Sequence, residues 1–89
     1  MVGKVFLVGA GPGDPELLTM KAHRLIRSAT VIVLDRLVSD EIRLLFPASA
    51  RVFDVGKSAS NHTLPQEEIN RLLVDLARTG LDVLRLKGG

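Results

Sequence analysis

Residues 4–19 read KVFLVGAGPGDPELLT. An apolar run, a glycine-rich turn and a proline-led amphipathic stretch follow one another without a gap. Lys4–Val8 is apolar on both alternations, which predicts a strand covered on both faces. Asp14, Pro15 and Glu16 then predict a helix start, with Asp14 as N-cap, Pro15 at the first helical position and Glu16 in the first turn. Behind them Leu18, Ala22, Leu25 and Ala29 recur at helical spacing, and the helix is predicted to fade near Ser28. A strand that enters a helix through glycines opens a parallel α/β unit.

The same alternation continues to the end of the chain. Thr30–Leu34 (TVIVL) predicts a second strand running into Asp35, and Ser39-Asp40-Glu41 predicts a short helix stopped by Pro47. Arg51–Val55 (RVFDV) predicts a third strand, with a polar loop from Gly56 to His62. Thr63 and Gln66 have capping-box spacing, Ile69, Leu72, Leu73 and Leu76 form one helical face, and Gly80 suits the helix end. Asp82–Leu86 predicts a fourth strand, followed by Lys87-Gly88-Gly89. The order β-α-β-α-β-α-β implies an α/β fold: an open, mostly parallel sheet with right-handed crossovers and helices on both faces. A strand followed by Lys-Gly-Gly enters a ligand loop, so residues 1–89 are expected to be the amino-terminal part of a longer domain.

Composition narrows the function classes. With 46% hydrophobic residues among 89 the chain is globular. Three Phe without Tyr or Trp argue against stacking platforms for nucleic acid, and a net charge of +2 with dispersed cations offers no phosphate-binding tract. The absence of cysteine excludes disulfides, thiolate metal sites and cysteine nucleophiles. His23 and His62 are isolated from other ligand types, so no metal site is expected. The apolar runs are short for a membrane span and the amino terminus lacks a signal-peptide pattern, which makes the cytoplasm the default compartment.

In open α/β sheets ligands collect beyond the carboxyl ends of the strands. Gly9–Asp14, Asp35–Ser39, Gly56–His62 and Lys87–Gly89 all fall there. Gly9, Gly11 and Asp35 fit a dinucleotide-binding turn in part, but the position of the third glycine is held by Asp14. An acid at a helix start would repel a pyrophosphate, whereas a cationic or neutral nucleoside would be tolerated. Asp35 alone reads as a turn cap and Lys57 as a solvated loop lysine; together, at two strand ends, they permit an acid–base pair. Arg85 and Lys87 flank Leu86 as either solvent charges or anion contacts. Gly88 and Gly89 permit close backbone approach to a ligand. P-loop and nucleophile-elbow patterns are absent.

The blocks VGAGPGDPELLTMKAHRLIRSATVIVLDRLVSDEI, VGK with a following His and QEEINRLLVDLARTG, and VLRLKGG resemble, in this order, the tetrapyrrole methylases. Within them the DRLVS and QEEIN blocks are most similar to the branch that methylates uroporphyrinogen III at C2 and C7 to give precorrin-2. The resemblance implies a two-domain α/β protein, usually a homodimer, that uses S-adenosylmethionine as methyl donor without a metal. It implies that Pro12, Gly88 and Gly89 contact that cofactor, that Asp35 accepts a proton and that Lys57 donates one. The tetrapyrrole substrate carries eight carboxylates, for which Arg36, Lys57 and Lys87 are the expected cations. Neither nucleic acid nor membrane is an expected partner. A methylase of a related corrinoid precursor and a dinucleotide-binding domain are the other readings. The family continues past Gly-Gly with a further strand and a second domain, so these residues alone are expected to be inactive.

Overall fold

The computed structural model describes residues 2–35, 38–56 and 65–88. Its strands are β1 (Val5–Gly9), β2 (Val31–Leu34), β3 (Arg51–Asp54) and β4 (Val83–Lys87), and its α-helices are α1 (Met20–Arg27), α2 (Asp40–Arg43) and α3 (Gln66–Ala77). All described strand pairs are parallel, in the order β1-β4-β2-β3. The α/β class and the parallel sheet are as read from the sequence.

The last strand is the central one. β4 pairs with β1 from Val5↔Val83 to Gly9↔Lys87 and with β2 from Val31↔Val83 to Leu34↔Leu86. Strands buried on both faces are apolar on both alternations. β2 (VIVL) is fully buried, and β4 (VLRLK) is buried up to Lys87. The alternation splits them between two cores. Ile32, Leu34, Leu84 and Leu86 join Ile26 of α1 and Ile42 of α2 on one face. Val31, Val33 and Val83 join Ile69, Leu73 and Ala77 of α3 on the other.

This division follows from the path of the chain. From β1 to β2 to β3 it advances in one direction across the sheet, with α1 and α2 on one face. From β3 to β4 it returns, and α3 lies on the opposite face, as crossovers of a single hand require.

Two expectations are corrected. The stretch after the glycine turn is not one helix: Asp14 caps a single 3₁₀ turn, Pro15–Leu17, accepting from the Glu16 N–H at 2.9 Å. Leu18 and Thr19 are extended, and α1 starts at Met20 with Thr19 Oγ1 capping the Ala22 N–H at 3.0 Å. Thr19, preceding Met20, was the overlooked cap. β1 is covered on one face only: Phe6 and Val8 pack on the α1 side, while Leu7 on the other side is 75% exposed. α3 starts at Gln66 behind Pro65, and the capping-box reading at Thr63 falls on a residue outside the described ones. Gly80 has φ 91, in agreement with its reading as a helix terminator.

Ile32 is fully buried between β4 and α1's face of the core. Ile32→Ala is expected to lower stability by about 2–5 kcal/mol in urea unfolding, through lost burial plus an unfilled cavity. Val52→Ala, at an exposed position of β3, should cost well under about 1 kcal/mol.

Candidate functional site at the carboxyl edge of the sheet

The loops that leave β1, β2 and β4 stand side by side because those strands are neighbours. The Ala10 N–H donates to the Lys87 carbonyl at 2.7 Å, carrying the β1–β4 ladder one step into the glycine turn. On the other side of β4, the Gly88 N–H lies 3.4 Å from Asp35 Oδ1. Asp35 is half-buried directly after β2, and its carbonyl accepts from the Val38 N–H at 3.3 Å. Gly88 and Asp35, 53 residues apart in sequence, are thus brought together by the insertion of β4.

The turn itself needs glycine at two positions. Gly11 has φ 63 and Gly13 φ 104, both in the left-handed region. Gly13 is also clamped: Ser39 Oγ donates to its carbonyl at 2.6 Å, and a Cβ on Gly13 would meet Ser39 Cβ at 3.1 Å. The same hydroxyl accepts from the Ile42 N–H at 3.2 Å and so caps α2. One serine therefore ties the β1 loop to the β2 loop. Nothing in the spacing of Gly13 and Ser39 signalled this contact, which depends on two helices leaving the same face of the sheet. Between the two left-handed glycines, Pro12 is exposed and its backbone carries no N–H.

The edge does not suit a dinucleotide. An anion site of that type needs free N–H groups at an α-helix start. Here the turn leads into a 3₁₀ turn capped by Asp14, and the α-helix begins only at Met20 behind its own cap. The Asp14 carboxylate occupies the start of that turn, which disfavours a phosphate there and tolerates a positively charged or neutral ligand.

The loop after β3 completes the topology. β2 sends its chain to the α1 face and β3 leads to α3 on the opposite face, and in open α/β sheets ligands bind where neighbouring connections diverge in this way. Asp35 stands on one side of that divergence. On the other, Asp54 Oδ1 accepts from the Gly56 N–H at 3.0 Å while Oδ2 pairs with Arg43 Nη2 at 3.3 Å, fixing the exit of β3. Lys57, Gly89, Arg36 and His62 lie outside the described residues. Pro12, Asp35 and Gly88 are described, and all three are at this edge. A cavity of about 310 Å³, lined by Phe6, Leu25, Leu81 and Leu84 among others, opens at the opposite, amino-terminal end of the strands. No group of three or more metal-ligating side chains occurs among the described residues, and no described helix is long and apolar enough to cross a membrane.

Residues 4–89 match the family model of the Tetrapyrrole (Corrin/Porphyrin) Methylases. The chain belongs to this family. It is 61% identical over 87 residues to the siroheme synthase of Hahella chejuensis, covering 98% of this chain and 19% of that protein. It is 59% identical over 88 residues to the uroporphyrinogen-III C-methyltransferase of Paracoccus denitrificans, covering 99% of this chain and 31% of that protein. Two crystal structures of the uroporphyrin-III C-methyltransferase of Thermus thermophilus have the same fold. One matches with a TM-score of 0.82 at 46% identity, covering 100% of this chain and 36% of that one. The other, complexed with S-adenyl homocysteine, matches with a TM-score of 0.77 at 48% identity, covering 98% and 33%. This methylase chain therefore spans from 19% to 36% of the length of these relatives.

Ser39→Ala removes the α2 cap and the clamp on Gly13 together. Chemical denaturation should show a loss of about 1 kcal/mol or somewhat more. Amide exchange should rise at Gly11 and Gly13 in the same variant, whereas a cap acting alone would leave that turn protected.

Proposed function

We propose that this chain is the amino-terminal part of a uroporphyrinogen-III C-methyltransferase, which transfers methyl groups from S-adenosylmethionine to C2 and C7 and yields precorrin-2. The reading rests on family membership together with one geometric observation: the Asp35 carboxylate sits beside the Gly88 N–H, on the strand neighbouring the glycine turn.

The residues fit a sulfonium nucleoside. Gly11, Pro12 and Gly88 offer backbone with little side-chain bulk, and Asp14 at the start of the turn disfavours a phosphate while tolerating a positive charge. The sulfonium carries the methyl group in activated form, so the protein has to position two reactants and manage protons. Pro12, Gly88 and Gly89 contact the cofactor in this reading. Asp35 accepts a proton from the macrocycle, raising the nucleophilicity of its pyrrole carbon, and Lys57 returns one. No metal is required. The complete protein contains a further strand and a second domain, acts as a homodimer in the cytoplasm, and engages neither nucleic acid nor membrane.

The test uses a polypeptide of family length that carries residues 4–88 of this chain in place of its own. Asp35→Asn should reduce methyl transfer by about 10²–10⁴-fold, the usual contribution of a positioned acid or base. Affinity for S-adenosylhomocysteine should stay within about threefold, as expected for a group acting on the proton rather than on cofactor binding. Full activity in Asp35→Asn would remove Asp35 from the chemistry. Tight NAD binding with no response to S-adenosylmethionine would overturn the methylase reading as a whole.

A further inference from the structure

Ser39 stands where the loops after β1 and β2 meet, and its hydroxyl is committed on both sides. Its Oγ donates to the Gly13 carbonyl at 2.6 Å and accepts from the Ile42 N–H at 3.2 Å. The partners leave no other assignment, since a carbonyl only accepts and an N–H only donates. The bond to Gly13 closes a circuit of contacts around the carboxyl edge. The Ala10 N–H donates to the Lys87 carbonyl at 2.7 Å, and the Gly88 N–H donates to Asp35 Oδ1 at 3.4 Å. The Asp35 carbonyl accepts from the N–H of Val38, the residue before Ser39, at 3.3 Å. Three of these four links are made by backbone groups or by Asp35 itself, and the fourth is the Ser39 hydroxyl.

The turn held in this way is short and anchored at its two ends. Ala10 and Gly13 are buried, and Gly11 and Pro12 between them are exposed. The Lys87 carbonyl anchors the Ala10 end, and Ser39 anchors the Gly13 end. Pro12 fixes its own φ, so the freedom of the turn resides at Gly11 and Gly13, the residue type that loses most conformational entropy on ordering. Both are held at positive φ, 63 and 104. Without the hydroxyl the Gly13 end loses its tie, and the arrangement seen here becomes one of several. A ligand that fits this arrangement then binds more weakly, in proportion to the fraction of molecules that hold it. Once bound, the ligand itself orders the turn, so the complex is little altered.

We propose that Ser39 is a positioning residue for the methyl donor: its hydroxyl holds the Gly11–Gly13 turn in the donor-binding shape and sets that turn against the loop that begins at Asp35. The inference rests on the function proposed above and adds a residue to it. Ser39 touches neither reactant in this reading and acts through the Gly13 carbonyl. It governs donor affinity, whereas Asp35 governs the proton, so the two residues carry opposite kinetic signatures.

The test compares Ser39→Ala and Thr19→Ala in the family-length polypeptide carrying residues 4–88, by S-adenosylhomocysteine titration, methyl-transfer kinetics and amide exchange. Thr19→Ala removes the α1 cap, a contact of the same kind that does not involve the Gly13 carbonyl. Ser39→Ala should weaken S-adenosylhomocysteine about three- to tenfold, the worth of one neutral hydrogen bond. KM for S-adenosylmethionine should rise in proportion, with kcat at saturating donor within about twofold of the unsubstituted protein. Saturating S-adenosylhomocysteine should return amide exchange at Gly11 and Gly13 to the unsubstituted level. Thr19→Ala should lower Tm and leave the affinity unchanged. Unchanged affinity in Ser39→Ala overturns the proposal, as does equal weakening in Thr19→Ala, which would make the effect one of general stability. A fall in kcat with KM unchanged overturns it too. Should Ser39→Ala not fold, Ser39→Gly removes the same hydroxyl where glycine is tolerated as a cap and decides by the same readouts. An unsubstituted protein that binds S-adenosylhomocysteine but transfers no methyl group to uroporphyrinogen III removes the substrate proposed above, and the affinity comparison then decides Ser39 by itself. One that binds no S-adenosylhomocysteine overturns both readings.

Discussion

The double pairing of β4 is the constraint from which the rest of the structure follows. A strand that is last in the described sequence lies between the first and the second, hydrogen-bonded to both along its length. Its two alternations supply Leu84 and Leu86 to one core and Val83 to the other, so neither core is complete without it. Parallel pairing of this kind brings residues together across long separations: Gly3 donates to the Ala77 carbonyl at 2.7 Å, and Lys4 N–H to Asp82 Oδ1 at 2.8 Å. Such contacts are made only after the intervening helices have packed, which is the kinetic cost of non-local topology.

The chemistry at the carboxyl edge depends on the same insertion. Asp35 would be a turn residue at the end of β2 if β4 did not place Gly88 beside it. The glycine turn would be a flexible loop if Ser39, from the other side of the α1 face, did not hold the Gly13 carbonyl. Pro12, Asp35 and Gly88 each follow a different strand, and the sheet sets their spacing, with the Asp35 carboxylate reaching the Gly88 N–H and the Ser39 hydroxyl holding the Gly13 carbonyl. That is the usual division of labour in open α/β proteins: rigid strands fix the positions, and loops carry the reactive groups.

Much of this was readable beforehand. The four strands fall within a residue or so of the apolar runs that announced them, because β-branched runs between glycines and charged turns have few other folded uses. Ser39 was read as a cap from its place before two acids. The helix after the glycine turn was read too early, since Asp14-Pro15-Glu16 satisfies the rules for a helix start equally well when only one 3₁₀ turn follows. β1 was read as doubly covered; within residues 1–89 no described element packs on the side of Leu7.

The sequence by itself determined the elements, their parallel arrangement and the family, because periodicity, caps and motif order are local properties of the chain. Only the tertiary structure decided that β4 separates β1 from β2, that Ser39 clamps Gly13, and that Arg85 is buried instead of solvated. These are outcomes of strand order and of which face a helix covers. Residues such as Arg85 have no local signature, since the same LRLK stretch would be half-solvated on an edge strand and is buried at the centre of a sheet.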